Sequence, residues 1–299
     1  MTLRARFALF AAALAAALAS RSDSAAQDKG KDAAARAAAV ENMKKINVDK
    51  PTIVETDNFL VVGSIPEEKA KALAAVLEKT LPVARKAAKY DDKDAAWKGK
   101  LTVYYLPNTD EFKSFMRRVL QAAPEGVHVD LRAAQPLVVD PAELPGKPAD
   151  ADLFAATAAR VAGELLQAKG TGTAAIPAWL RDGFGRAAQM RAEGPNSRRY
   201  QAYKAAARTA VLNPKGGRPP AISEAWSDAK SATGETLGTS VADFLAFGPK
   251  AADFGKFLDA LRPSDGNPNP TVPGAFPALG WKDEAAAEAA WKKWVQTGK

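Results

Sequence analysis

The chemistry open to this chain is bounded by the side chains it lacks. Among its 299 residues there is one histidine, His128, and no cysteine. Zinc is gripped by imidazoles and thiolates in tetrahedral array, so neither a two-histidine site nor a thiolate site can be assembled here. Glu164 and Asp182 remain as candidate acids, but a hard cation takes about six to eight oxygens and two side chains supply too few. His128, without a partner acid or nucleophile, reads as structural. No glycine loop of the phosphate-binding kind is present, and no cofactor is expected.

Positive charge is the other conspicuous resource. The chain carries a formal +8, and nine Lys or Arg fall between Arg181 and Arg218 against two acids, Asp182 and Glu193. Arg186, Arg191, Arg198, Arg199, Lys204 and Arg208 in this stretch are the candidate anion-binding residues. Tyr200 and Tyr203 lie among them, a mixture that can stack on and neutralise nucleic acid or another polyanion. The competing reading is a solvated helix face with tyrosines as packing.

The elements that would position such groups centre on DLFAATAARVAGELLQAKGTGTAAIPAWLRDGFGRAAQM, Asp152 to Met190. Phe154, Ala158, Val161, Ala162, Leu165 and Leu166 recur at three- and four-residue steps and predict one apolar helical face. Gly170 and Gly172 end that helix. Ile176 and Pro177 open a second, with Trp179, Leu180, Phe184 and Ala187 on its buried side.

A helix, a turn and then P-x-W-L-x-D-G-x-G resembles the core of the peptidase-MA-like gluzincin metallopeptidases. That resemblance implies a zincin-like α+β fold. Its parts are a small mixed N-terminal sheet with helices, a central helix pair at the active site and a helical C-terminal half. In that group the first helix carries H-E-x-x-H and the second supplies a third zinc ligand. Aligning "GELL" with the usual ending of the motif puts Ala159 and Gly163 at the histidine positions, Arg160 at the general base and Asp182 at the third ligand. Trp179, Leu180 and Gly183 frame the cleft. The resemblance therefore implies a degenerate member: vestigial positions Ala159, Arg160, Gly163 and Asp182, with no catalytic or metal-binding residue. It also implies that Arg160 lies within about 6 Å of Asp182, its guanidinium standing in for the lost cation. In the family an edge strand lines the cleft, where a peptide could add by β-augmentation.

Read in order, residues 1–26 are expected to be a secretory signal: Arg4 and Arg6, an apolar run from Phe7 to Ala19, and Ser24-Ala25-Ala26 before the cut. The run is short for a bilayer span, so no transmembrane segment is expected after cleavage. Residues 27–50 read as a flexible or helical arm with no broad apolar stripe. A zincin-like domain is expected over 51–299, its sheet-containing half at 51–168 and its helical half at 169–299. Thr52 to Thr56 and Phe59 to Gly63 predict a hairpin around Asp57-Asn58. Ser64 to Glu67 reads as a capping box with proline just inside the helix start. The helix that follows buries Leu73, Val76, Leu77 and Leu81, and Pro82 should kink or break it before a second piece runs to about Tyr90.

Leu101 to Leu106 alternates as a strand. Asn108 or Thr109 caps a helix burying Phe112, Phe115, Met116 and Val119. Val127 to Leu131, which holds His128, and Leu137 to Val139 are two further short strands. Asn196 to Leu212, Ile222 to Trp226, Ser240 to Phe247 and Ala251 to Leu261 read as helical. Arg262 to Gly280 should be an irregular surface loop. A last helix docks through Trp281, Ala285, Ala289, Trp291 and Trp294.

The function expected on these grounds is an exported, periplasmic or secreted pseudo-metallopeptidase, catalytically inactive, that binds or scaffolds in a bacterial envelope. Its partner would be a peptide or an anionic envelope polymer. Two alternatives stand beside it: a polyanion-binding protein working through residues 181–218, and a metal-independent hydrolase. The last needs two acids in one cleft, and Glu164 is expected to be turned away from Asp182.

Overall fold

A computed structural model describes residues 33–91, 97, 99–123, 137–139, 149–169, 176–212, 217–229 and 231–298. The expected signal, Val127 to Leu131 with His128, and Gly170 and Gly172 lie outside these. The architecture is α+β.

Among the described residues four strands form one sheet in the order β1 (Thr52–Glu55), β2 (Phe59–Gly63), β3 (Leu101–Tyr105), β4 (Leu137–Val139). β1 and β2 pair antiparallel as the hairpin, with Thr52 opposite Gly63. β2 to β3 and β3 to β4 are parallel. The β2 to β3 crossover carries helix α2 (Glu67–Ala87). A strand in a parallel ladder covered on both faces reads as a continuous apolar run, and FLVVG in β2 is buried throughout. β3 follows suit: only Thr102 is partly exposed, so the expected alternation gives way to burial on both sides.

One face, with Phe59, Val61, Leu101, Val103 and Tyr105, packs into the large core shared by α2 and the helical half. The other face, with Leu60, Val62, Tyr104 and Leu106, meets α3 (Thr109–Phe115) and its π-helical extension Met116–Leu120. It also meets helix α1, residues 33–44, through Ala39 and Met43, both fully buried, and Ile46 just beyond. The stretch read as a weakly docked arm is thus a cover for half the sheet. One buried contact per turn, Ala39 and then Met43, suffices there, which is why no broad apolar stripe marks it.

Other local expectations shift for identifiable reasons. Pro82 lies inside an unbroken α2 on its exposed side, where water can satisfy the carbonyl that proline's missing N–H abandons. The capping box does not form: Pro66 is the N-cap, no side chain caps the helix, and the Ser64 hydroxyl donates to Glu111 instead. Asn108 does cap α3, accepting from Asp110 N at 2.8 Å.

In the helical half, α4 (Asp150–Lys169) and α5 (Ala178–Glu193) lie against each other and α5 against α8 (Ala232–Phe247). The approach is set by glycine. A Cβ on Gly185 would sit 2.0 Å from the Ala159 carbonyl oxygen, and one on Gly183 would sit 2.6 Å from that of Gly238. Helix α8 is buried from Leu237 to Ala246 on every side, as a central helix must be. Around it sit α6 (Arg198–Leu212), α7 (Glu224–Ser227) and α11 (Glu284–Thr297), while α9 (Phe254–Ala260) stacks Phe254 on Phe184 of α5. Trp291, fully buried on α11, donates its indole N–H to Ser240 of α8 at 3.0 Å. Ala287 rather than Ala285 or Ala289 completes that docking face. The span Arg262 to Gly280 is less irregular than expected. Its α10 (Val272–Ala275) and a 3-10 turn (Phe276–Leu279) put Val272, Ala275, Phe276 and Leu279 into the core.

Candidate functional site

Four helices wall a cleft of about 510 Å³. Helix α4 contributes Asp152, Ala155, Ala156, Ala159 and Arg160, and α5 contributes Asp182, Arg186, Gln189 and Met190. Arg199, Tyr203 and Ala206 come from α6, and Glu235, Thr236 and Thr239 from α8. Each set recurs at three- or four-residue steps, so each helix turns one stripe inward. Among the described residues no strand lines the cleft.

At one end the charged groups interlock. Arg160 Nη1 is 3.8 Å from Asp182 Oδ1, and its Nε is 3.3 Å from Glu164 Oε1. Arg181 closes the array from the other side, with Nε 2.8 Å from Asp182 Oδ1 and Nη1 3.8 Å from Glu164 Oε1. Burial pulls the Arg181 pKa down, but the Asp182 hydrogen bond and the charges of Asp182 and Glu164 outweigh it and the net shift is upward. The expectation that Arg160 lies near Asp182 is met. The expectation that Glu164 turns away is not: it is 7% exposed and within reach of both guanidinia. Arg160 and Glu164 are four apart on one helix, which places them on the same face.

Of the four vestigial positions, Ala159, Arg160 and Asp182 converge on the cleft. Gly163 does not. Its missing side chain would aim at the backbone of α5, with a Cβ 2.8 Å from the Arg181 carbonyl oxygen. Trp179, Leu180 and Gly183 are buried behind the cleft wall: Trp179 beside Trp226, Leu180 in the core and Gly183 at the α8 contact. The zinc that motif-bearing members of that group hold has no fit at these positions. Two of the aligned positions carry no donor atom, and Gly163 lacks even the room for one. Among the described residues no three His, Cys, Asp or Glu side chains gather as a metal would need.

The basic stretch divides three ways. Arg191 reaches inward, its Nε 2.5 Å from Oδ1 of fully buried Asp243, with its guanidinium 4.7 Å from the Phe247 ring centre. Tyr203 donates to the other Asp243 oxygen at 3.3 Å. Burial raises the pKa of Asp243, against the pull of Arg191, and raises that of Tyr203 strongly. Arg199 is paired with Glu193 and with Asp152, and Lys204 lies 5.0 Å over the Trp294 ring. Arg198 and Arg208 face solvent. Arg186 alone of these six lines the cleft without an ion pair among the described residues, holding Thr239 Oγ1 with its Nε at 3.0 Å. Sequence reading missed Asp243, although an acid inside the apolar run SVADFLAF is a signal, since such a charge must find a partner. No described helix is long and apolar enough to cross a membrane. No family model matches the chain, and no curated protein matches it.

Proposed function

We propose that this chain is an exported binding or scaffolding protein of the bacterial envelope, a catalytically silent relative of the gluzincin peptidases whose helical cleft takes a ligand without cleaving it. The observation that carries this reading is the charge lattice of Arg160, Arg181, Asp182 and Glu164 at one end of the cleft. A peptidase of this kind needs a metal-activated water and a free carboxylate base. Here a guanidinium stands at the base position and cations occupy both acids. Removing one member of such a cluster leaves a partly buried charge uncompensated, so the lattice supports a role in holding α4 against α5.

The metal-independent hydrolase reading is separated from this one by turnover. Purified chain is incubated with a broad set of peptide substrates beside its Asp182→Asn variant. The expected result is no turnover by either. Hydrolysis by the native chain that Asp182→Asn abolishes would restore the enzyme. The polyanion reading is weakened because Arg181, Arg191, Arg199 and Arg218 are each engaged with acids of the chain itself.

A further inference from the structure

We infer that the cleft recognises a single carboxylate on a small apolar body, with Arg186 as the residue that grips it; this rests on the binding reading above and names its ligand class. Among the described residues three guanidinia line the cleft. Arg160 is compensated by Glu164 and Asp182, and Arg199 by Asp152 and Glu193. Arg186 has no such acid among the described residues. Its Nε–H donates to Thr239 Oγ1 at 3.0 Å. Thr239 is itself 3% exposed and donates to the Glu235 carbonyl oxygen at 2.8 Å, so the anchor of the guanidinium is fixed in the α8 wall. The two terminal nitrogens keep their N–H groups, and a guanidinium held by its Nε presents those two in the parallel geometry that a carboxylate accepts bidentately.

The charge of the remaining lining selects the class of anion. Asp152, Asp182 and Glu235 share the cleft, and Glu235 pairs with no cation among the described residues. With Asp152 and Asp182 held by arginines, Arg186 faces one such unpaired acid, Glu235, so a dianionic phosphate or a polyanion carries more repulsion into the cleft than a monoanion does. Ala155, Ala156, Ala159, Met190 and Ala206 supply small apolar wall, and the volume lies within the range of small-ligand sites. A neutral short peptide ending in a free carboxylate has the required chemistry.

The test is titration of the full chain, by ligand-observed NMR, with N-acetyl-Ala-Ala bearing a free carboxylate, with its C-terminal amide, and with inorganic phosphate. The free carboxylate is expected to bind, and the amide and phosphate to bind about tenfold or more weakly. Arg186→Gln should weaken the carboxylate by about tenfold or more, and Arg186→Lys should recover only part, since it restores charge without the fork. Arg198→Gln, on the solvent face, should change nothing. Equal binding of acid and amide, preference for phosphate, no binding of the acid, or full binding by Arg186→Gln would each overturn the inference. None of these touches the claim of catalytic silence, which turnover and metal content decide separately.

Discussion

Asp243 and Arg191 show how a single residue can be costly and retained. The carboxylate is fully buried and the Arg191 guanidinium lies 2.5 Å away, so each member makes the other tolerable. Truncating either partner of a buried pair strands a charge, while replacing both with apolar groups removes the desolvation cost along with the attraction. Arg191→Met is therefore expected to lose about 3 kcal/mol of stability. Arg191→Met combined with Asp243→Leu should regain most of that loss. Urea unfolding of Arg191→Met, Asp243→Leu and the double variant measures the cycle, and additive losses would deny the coupling. Tyr105 gives a pH prediction at the same scale. Burial, with the Asp150 charge adding to it, pushes its phenol from 10.0 up to about 12. The folded state holds that proton more tightly than the unfolded one, so the contribution is complete below pH 10 and is lost as pH rises through about 12. Tyr105→Phe should flatten this part of the stability–pH curve. An unchanged slope would show that the phenol does not cause it.

At the scale of elements, the α4 to α5 contact is defined by absent side chains. Gly185→Ala would place a methyl 2.0 Å from the Ala159 carbonyl oxygen, which cannot move without moving α4. A loss of about 3 kcal/mol is expected, the upper part of the overpacking range. Gly255 on α9 offers a contrast: its new Cβ would lie 3.5 Å from Lys89 Cγ, an ordinary contact. Gly255→Ala should be neutral or stabilise by up to about 1 kcal/mol through helix propensity. Thermal unfolding of the pair reads both, and similar effects would contradict the distinction. These helices were legible in sequence because their apolar positions recur with the helical period. Their ends were less so. The motif from Ser64 to Glu67 was diverted by Glu111, a residue remote in sequence, and Pro82 proved harmless because it faces water. The site was legible to the same degree. Arg160 beside Asp182 follows once two helices are set face to face, and Glu164 beside Arg160 follows from the i, i+4 rule. The Asp243 to Arg191 pairing spans two helices that no local pattern connects.

For the molecule as a whole, the sheet is a partition between two cores, and helix α1 seals the smaller one. Met43 is buried completely against that sheet face, so Met43→Ala should cost about 3 kcal/mol. An unaltered melting temperature would mean that residues 33–46 do not belong to the folded unit. The cleft lies on the opposite side of the architecture, among four helices that bring three arginines and three acids to one cavity. Such a cavity suits capture of a ligand, with its fixed charges either paired or poised for a partner of opposite sign. A silent cleft requires that no metal is gripped there. Native mass spectrometry of the purified chain after incubation with zinc and exhaustive dialysis measures this directly. The mass of the bare chain is the predicted result; one zinc retained per chain, and released by Asp182→Asn, would contradict it.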